Sequence, residues 1–380
     1  MMNTKKTDQS FSIYTIIGAR PQFVKAAAVS RAIRKNMNKL CTINEIIIHT
    51  GQHYDDKMSK QFFLELGIPK PAINLGIGGG SHGSNTGRMI EAIEKVLMDG
   101  KPDAVLVYGD TDSSLAAAIA ACKINISILH VEAGLRSYNA TQPEEKNRKI
   151  IDHISEICFA PTKAAADNLK KEGIVESKIQ LIGDVMADSA RIFSKEAEIN
   201  ADRLLKNKKL QKNSFILSTF HRAENTDNQI RLKEILKALS HAPIPVIVPL
   251  HPRTKSKISE YGLEKLLDNI IISEPVGFLD MLTLEKYSSV IVTDSGGMQK
   301  EAYLQGTPCV TIRDETEWLE LLENEWNILA DTRNSEDILI AIEKQLRNHK
   351  IAKRTELYGD GYAANKLVDI IQANAIKKTA

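Results

Sequence analysis

The sequence predicts an α/β protein of two Rossmann-like domains facing a cleft, and three observations predict it. Short apolar, β-branched runs alternate with helical patterns along the whole chain. The runs are too apolar for half-exposed strands and read as strands covered on both faces of a parallel sheet. The alternation occurs twice, on either side of the polar, Lys-rich stretch Asp188–Asn213. A length of 380 residues fits two domains at about 150 residues each.

The expected strands of the first half are Ser12–Ile17, Glu45–His49, Ala104–Tyr108, Ile126–Val131, Ile157–Ala160 and Lys178–Ile182. Helical patterns at Gln22–Arg34, Asp55–Leu66, Asn85–Met98 and Ser113–Cys122 separate them, the β-α-β-α order of a doubly wound sheet. The second half places strands at Ser214–Thr219, Ile244–Pro249, Asn269–Ser273, Ser289–Thr293, Pro308–Ile312 and Asn327–Ala330. Helices are expected between them at Gln229–Leu239, Leu279–Lys286 and Gly297–Gln305. The domains are expected at 1–187 and 188–357.

Composition narrows the function. Lys and Arg number 50 against 48 Asp and Glu, a net charge of +2, which argues against a general nucleic-acid or membrane-surface binder. No apolar run approaches the roughly 20 residues that span a bilayer. The polar start, Met1–Ser10, does not read as a secretory signal, so a cytoplasmic location is expected. The four cysteines form no C-x-x-C pair and read as reduced thiols. His49 and His53 lie four apart, but on a strand and its turn, so no metal site is expected.

Ligands of open parallel sheets bind at the carboxyl ends of the strands. Here those ends carry Gly18-Ala-Arg-Pro21, Gly109-Asp-Thr111, Glu132-Ala-Gly-Leu-Arg136, His221-Arg-Ala-Glu-Asn225, His251-Pro-Arg253 and Asp294-Ser-Gly-Gly297. In the last, Ser295, Gly296 and Gly297 open a helix whose free N–H groups favour an anion. A plain N-capped turn reads equally from that stretch alone. His251 and Arg253, on a neighbouring strand, favour a nucleotide diphosphate, and Glu301, two turns in, can accept from ribose hydroxyls. The glycine-rich loop Gly76–Gly83 fits neither G-x-G-x-x-G nor a P-loop, so NAD, FAD and ATP hydrolysis lose their main support.

Asp110 and Glu132 follow adjacent expected strands, and Glu144 opens a helix after Pro143. Helix capping explains Glu144 as well as catalysis does. With Arg20, Lys25, Arg136, Arg148 and His221 nearby, the carboxylates form a set with both proton-transfer groups and anion binders. Crowded acids can have their pKa values pushed apart, so that one donates while another accepts.

In this order the clusters resemble the non-hydrolysing UDP-N-acetylglucosamine 2-epimerase family. The resemblance runs from about Thr15 to about Asn365 and rests on Gly18-Ala-Arg-Pro with Lys25, Gly109-Asp-Thr, His130-Val-Glu-Ala-Gly-Leu-Arg136, Pro143-Glu-Glu with Asn147-Arg148, His221-Arg-Ala-Glu-Asn225 and Asp294-Ser-Gly-Gly-Met-Gln-Lys-Glu301. It implies a GT-B-like fold, a homodimer, a UDP-sugar substrate, no cofactor, and a last helix (358–380) crossing back onto the N-terminal domain. It implies loss of UDP across C1–C2, an enzyme-held 2-acetamidoglycal, and return of UDP with C2 protonated from the other face. It also implies hinge motion between the domains, because the glycal must be held. By resemblance, Arg20, Lys25, His221 and Ser295–Gly297 are diphosphate-side residues. Asp110, Glu132 and Glu144 are acid/base candidates, Arg148 supports them, Glu301 contacts ribose, and Phe278 lies where uracil is held.

Two departures bear on the sugar. The family commonly reads Gly-Thr-Arg-Pro-Glu and Thr-Glu-Arg-Pro-Glu, where this chain has Gly18-Ala-Arg-Pro-Gln22 and Thr316-Glu-Trp-Leu-Glu320. Both look more like relatives acting on modified UDP-sugars, with UDP-2,3-diacetamido-2,3-dideoxy-glucuronate preferred. UDP-N-acetylglucosamine and the precursor of UDP-N-acetyl-L-fucosamine are the alternatives. Arg313 and Arg88 are the expected partners of a C6 carboxylate. A hydrolysing epimerase, a glycosyltransferase and a non-catalytic UDP-sugar sensor are the competing functions.

Overall fold

The computed structural model describes residues 9–36, 41–51, 63–348 and 356–379. The chain divides into two compact units, Met1–Arg191 with Glu356–Ala380, and Ile192–Thr355. Each is Rossmann-like, a parallel sheet with interleaved helices.

The sheet of the first unit contains β1 (Gln9–Ile17), β2 (Cys41–His49), β3 (Ile73–Asn74), β4 (Ala104–Tyr108), β5 (Ser127–Val131), β6 (Ile157–Ala160) and β7 (Ile179–Leu181). Their order is β3-β2-β1-β4-β5-β6-β7, and every neighbouring pair is parallel. The strand order reverses between β1 and β4, where sheets of this kind take their ligands. β4 is wholly buried, as its unbroken apolar run demands. β2 starts at Cys41, four residues before the expected Glu45, because its polar first half pairs with β1 from Gln9↔Cys41 onward. Most of the expected helix Asp55–Leu66, with Gln52, His53 and Tyr54, lies outside the described residues.

Small side chains let the helices pack closely on this sheet. Helix Asp112–Lys123 presents Ala116, Ala117, Ala120 and Ala121 to the same core as Met89, Ile93 and Leu97 of helix His82–Gly100. The last helix, Ala363–Thr379, belongs to this unit. It buries Leu367, Val368 and Ile371, and Gln372 donates to the Cys41 carbonyl at 2.8 Å. The Asp188 carboxylate receives the backbone N–H groups of Ala363 and Ala364 at 3.0 and 2.9 Å.

The second unit has β8 (Ile216–Thr219), β9 (Val246–Pro249), β10 (Ile270–Ser273), β11 (Val290–Thr293), β12 (Cys309–Thr311) and β13 (Asn327–Leu329), ordered β10-β9-β8-β11-β12-β13 and parallel throughout. Its reversal lies between β8 and β11. Val290, Val292, Val310 and Ile216 pack against Leu232, Leu236 and Ile338 on one face, and Leu217, Ile247 and Ile291 against Leu284 and Ala302 on the other.

Among the described residues, no helix is long and apolar enough to cross a membrane, and no group of His, Cys, Asp or Glu is placed to hold a metal ion.

Candidate active site

The carboxyl ends of β4 and β5 bring together the acids of the first unit. Glu132 directly follows β5 with φ +71°, a left-handed conformation unusual for a residue with a side chain. Its carboxylate is buried and ion-paired with Lys25 of helix Arg20–Lys35. Gly109, after β4, makes room for the pair. A Cβ there would lie 2.9 Å from Glu132 Oε2 and 3.3 Å from Lys25 Nζ, and its φ of +60° favours glycine.

Asp110 is half-buried and takes the Arg148 guanidinium at 2.7 Å. Arg148 also donates to Glu145 at 2.7 Å, and Glu145 accepts from the backbone N–H of Ser137 at 2.9 Å. Burial works to raise the Glu145 carboxyl, but the Ser137 N–H and Arg148 hold it below its ordinary value. Asn147 donates to the Asp110 carbonyl at 2.8 Å and to Asp112 at 3.3 Å. All three come from helix Pro143–Ile154, whose inward face carries Glu145, Asn147, Arg148, Ile151 and Asp152. Glu144 lies exposed on the first turn. Glu145 is therefore the acid of that pair which braces Asp110, and its spacing from Arg148 and Asp152 on one helical face was the available signal.

Gln22 joins the reversal point together. Its side-chain oxygen accepts from the N–H groups of Gly18 and Ala19 at 2.8 and 2.9 Å. Its amide nitrogen donates to the Tyr108 carbonyl at 3.1 Å and to the Ser114 hydroxyl at 2.8 Å. A carboxylate has no hydrogen for the Tyr108 carbonyl, so glutamine is the residue this arrangement takes. Arg20 opens the same helix, but its side chain lies outside the described residues.

In the second unit Asp294 is fully buried after β11 and ties the loop after β8 in place. It accepts from the backbone N–H groups of His221 (3.0 Å) and Arg222 (2.9 Å) and from the Asn225 amide (3.2 Å). The His221 side chain is left half-exposed, its ring centroid 6.2 Å from that of His251. His251 caps helix Pro252–Glu260 by accepting from the Arg253 N–H at 3.2 Å. Burial, with His221 and Arg253 beside it, lowers its pKa and keeps the accepting nitrogen unprotonated. The Arg253 guanidinium pairs with Asp227 at 2.7 Å.

Ser295 caps helix Gly296–Gln305, with Gly296 and Gly297 as its first two residues. A Cβ on Gly296 would lie 2.1 Å from the Glu317 carboxylate, whereas one on Gly297 meets little. Trp318 donates its indole N–H to the Gly296 carbonyl at 2.9 Å, and its ring lies under Lys300 at 4.5 Å. Glu301 is half-buried in the second turn.

Two expectations need correcting, those for Arg136 and Arg313. Arg136 is not open to a substrate: its guanidinium is fully buried, 2.8 Å from Asp152, and makes a two-pronged bridge to Glu172 at 2.8 and 2.5 Å. Arg313 is 3 % exposed and spends its charge on Glu317 at 2.9 Å, so it offers no cation to a C6 carboxylate. Arg88 donates to the Gly79 carbonyl at 2.7 Å and holds the glycine-rich loop. The Phe278 ring, for its part, is buried edge-on against Phe193, with centroids 5.5 Å apart.

The arrangement offers two carboxylates, each braced by a cation, at neighbouring strand ends of one unit. The other offers a helix N-terminus capped by Ser295 and two neighbouring histidines. The first group suits proton transfer and the second anion binding, each within its own unit.

Residues 35–372 match the family model described as UDP-N-acetylglucosamine 2-epimerase. The UDP-2,3-diacetamido-2,3-dideoxy-D-glucuronate 2-epimerase of Pseudomonas aeruginosa is 46% identical over 94% of this chain and 99% of its own. A UDP-N-acetylglucosamine 2-epimerase of Methanococcus maripaludis is 45% identical over 95% of this chain and 98% of its own. Identity alone thus does not separate the two sugars. The crystal structure of the Methanocaldococcus jannaschii UDP-GlcNAc 2-epimerase, in complex with UDP-GlcNAc and UDP, superposes with a TM-score of 0.86 at 41% identity, covering 96% of this chain and 100% of that one. The expected fold class, α/β with two Rossmann-like domains of the GT-B-like kind, is therefore the one found.

Proposed function

We propose, from the premise that this chain belongs to the UDP-N-acetylglucosamine 2-epimerase family and is a UDP-sugar 2-epimerase, an isomerase, that its substrate is UDP-2,3-diacetamido-2,3-dideoxy-glucuronate. The observation that carries the chemistry is the pair of braced carboxylates, Glu132 on Lys25 and Asp110 on Arg148, at the ends of adjacent strands. The C2 proton is barely acidic, so its removal must coincide with breaking of the C1–O bond. One carboxylate takes the C2 proton, the C1=C2 bond forms, and UDP leaves with the bonding electrons. UDP then adds back to C1 while C2 is protonated from the opposite face. Nothing is oxidised or reduced overall.

In this reading the second unit holds UDP. The first N–H groups of helix Gly296–Gln305 and His221 face the diphosphate, with Ser295 capping the turn. Glu301 takes the ribose. Glu144 stands as a third acid/base candidate of the first unit. Support for the uronate comes from the Pseudomonas relative and from Gln22 and Trp318, the two departures, which donate to the Tyr108 and Gly296 carbonyls. The enzyme works as a cytoplasmic homodimer supplying a sugar for surface polysaccharide. UDP-N-acetylglucosamine, giving UDP-N-acetylmannosamine, is the alternative substrate.

A panel of UDP-sugars followed by proton NMR for inversion at C2 tests the reading. The uronate is expected to react with a kcat/KM at least ~10-fold above UDP-N-acetylglucosamine, the low end of discrimination by one small substituent. The reverse preference would replace the uronate with the simpler sugar.

A further inference from the structure

We infer that His130 is a positioning residue for the epimerisation: clamped between Asp152 and the Gly109 carbonyl, it fixes the Gly109–Asp110 peptide so that Asp110 presents its backbone N–H and carboxylate to the sugar. The inference rests on the function proposed above.

His130 lies on β5 and is completely buried. Its Nδ1 is 2.7 Å from Asp152 Oδ1, and its Nε2 is 3.0 Å from the Gly109 carbonyl oxygen. A carboxylate and a carbonyl only accept, so both ring nitrogens donate, and a ring donating from both carries a positive charge. Asp152 is ionised to match. Burial works to raise its carboxyl, but His130 and Arg136 hold it below the usual range. The other groups around the ring are Arg136, on the second Asp152 oxygen, and Cys158 of β6, whose thiol burial keeps protonated.

The Gly109–Asp110 peptide is trans, so its N–H points opposite its carbonyl. With the carbonyl turned to His130, the Asp110 N–H faces away from β5, and among the described residues no protein group accepts from it. A cation on the carbonyl side polarises the peptide and strengthens that N–H as a donor. The rest of Asp110 is equally constrained, its own carbonyl by Asn147 and its carboxylate by Arg148. A buried ion pair is a poor source of stability, because desolvation offsets the attraction. An apolar side chain would fill the same space without aiming one peptide.

The test uses the full chain and whichever UDP-sugar the wild type turns over. His130→Leu is expected to lower kcat at least ~30-fold while the Kd for UDP changes by less than ~2-fold. His130→Gln keeps an N–H for the Gly109 carbonyl and should restore kcat to within ~5-fold of wild type. A folded His130→Leu enzyme with normal kcat, or a Gln variant as impaired as Leu, would overturn the inference. Should the Leu variant not fold, nitrogen-15 NMR of the wild-type histidines decides. Both His130 ring nitrogens should carry protons in the folded enzyme, and a neutral single tautomer would refute the clamp. A wild type inactive on every UDP-sugar would sink the proposed function instead, and the ring spectrum would still report on His130.

Discussion

Lys25 and Glu132 are paired across the reversal point of the first sheet, and glycine at position 109 is what lets them meet. Glu132 is held at φ +71° in this pair. A left-handed backbone in a residue with a Cβ costs about 1–2 kcal/mol, which the surrounding contacts must outweigh.

Gly109→Ala should therefore disable the site before it unfolds the chain. The added methyl meets the pair at 2.9 and 3.3 Å in a backbone that already requires φ +60°. Expected are a kcat at least ~10-fold lower and a loss of about 1–2 kcal/mol in stability, read by steady-state kinetics and denaturant unfolding. Unchanged kcat would show that the pair does not take part.

Asp110→Asn and Glu132→Gln should each cut turnover at least ~100-fold, the low end for losing a positioned acid or base. The Kd for UDP, measured by calorimetry, should stay within ~3-fold, since the proposed UDP site is in the other unit. Near-normal turnover in both variants would remove the acid/base assignment.

Arg136 gives a prediction of the opposite kind. Arg136→Met leaves Asp152 and Glu172 without their shared cation, one of them fully buried. Breaking a buried pair from one side costs about 3–5 kcal/mol. Thermal unfolding should show that loss, while the Kd for UDP stays put. A variant of normal stability that binds UDP poorly would return Arg136 to the ligand.

Asp188 predicts a pH dependence. Burial raises its carboxyl to about 6 from an ordinary 3.8, although the Ala364 and Ala363 N–H groups oppose the rise. A group whose pKa is higher in the folded state stabilises below its unfolded pKa and loses that contribution as pH rises through the folded value. The difference in unfolding free energy between wild type and Asp188→Asn should thus shift in favour of wild type between pH 7 and pH 4. The shift is on the order of 2–3 kcal/mol. A difference flat with pH would contradict it.

The strands and their chemistry could be read from residues because burial on both faces leaves an unbroken apolar run. Val105–Val107 and Val290–Val292 announce themselves, and so do the polar residues at which such runs stop. The two-residue β3 is too short to leave any pattern, and the polar start of β2 is strand only because β1 lies beside it. The site was legible as a set of residue types, not as partnerships. Arg136 looks the same in sequence whether it meets a phosphate or Asp152 and Glu172, residues 16 and 36 places away that only the fold brings near. The braces are hidden for the same reason. Asp294 resembles a helix cap, yet its carboxylate holds the loop carrying His221. Arg313 reads as a free cation until Glu317 is seen one helical turn's reach away.

In the proposed reaction UDP departs, an unsaturated sugar is retained, and C2 receives its proton afresh before UDP returns. Incubation of the wild type with UDP-2,3-diacetamido-2,3-dideoxy-glucuronate in deuterated water, followed by proton NMR and mass spectrometry, tests it most directly. Deuterium at C2 of the epimerised, intact UDP-sugar is expected. Epimer formed without deuterium, or release of free sugar and UDP with no labelled UDP-sugar, would contradict it.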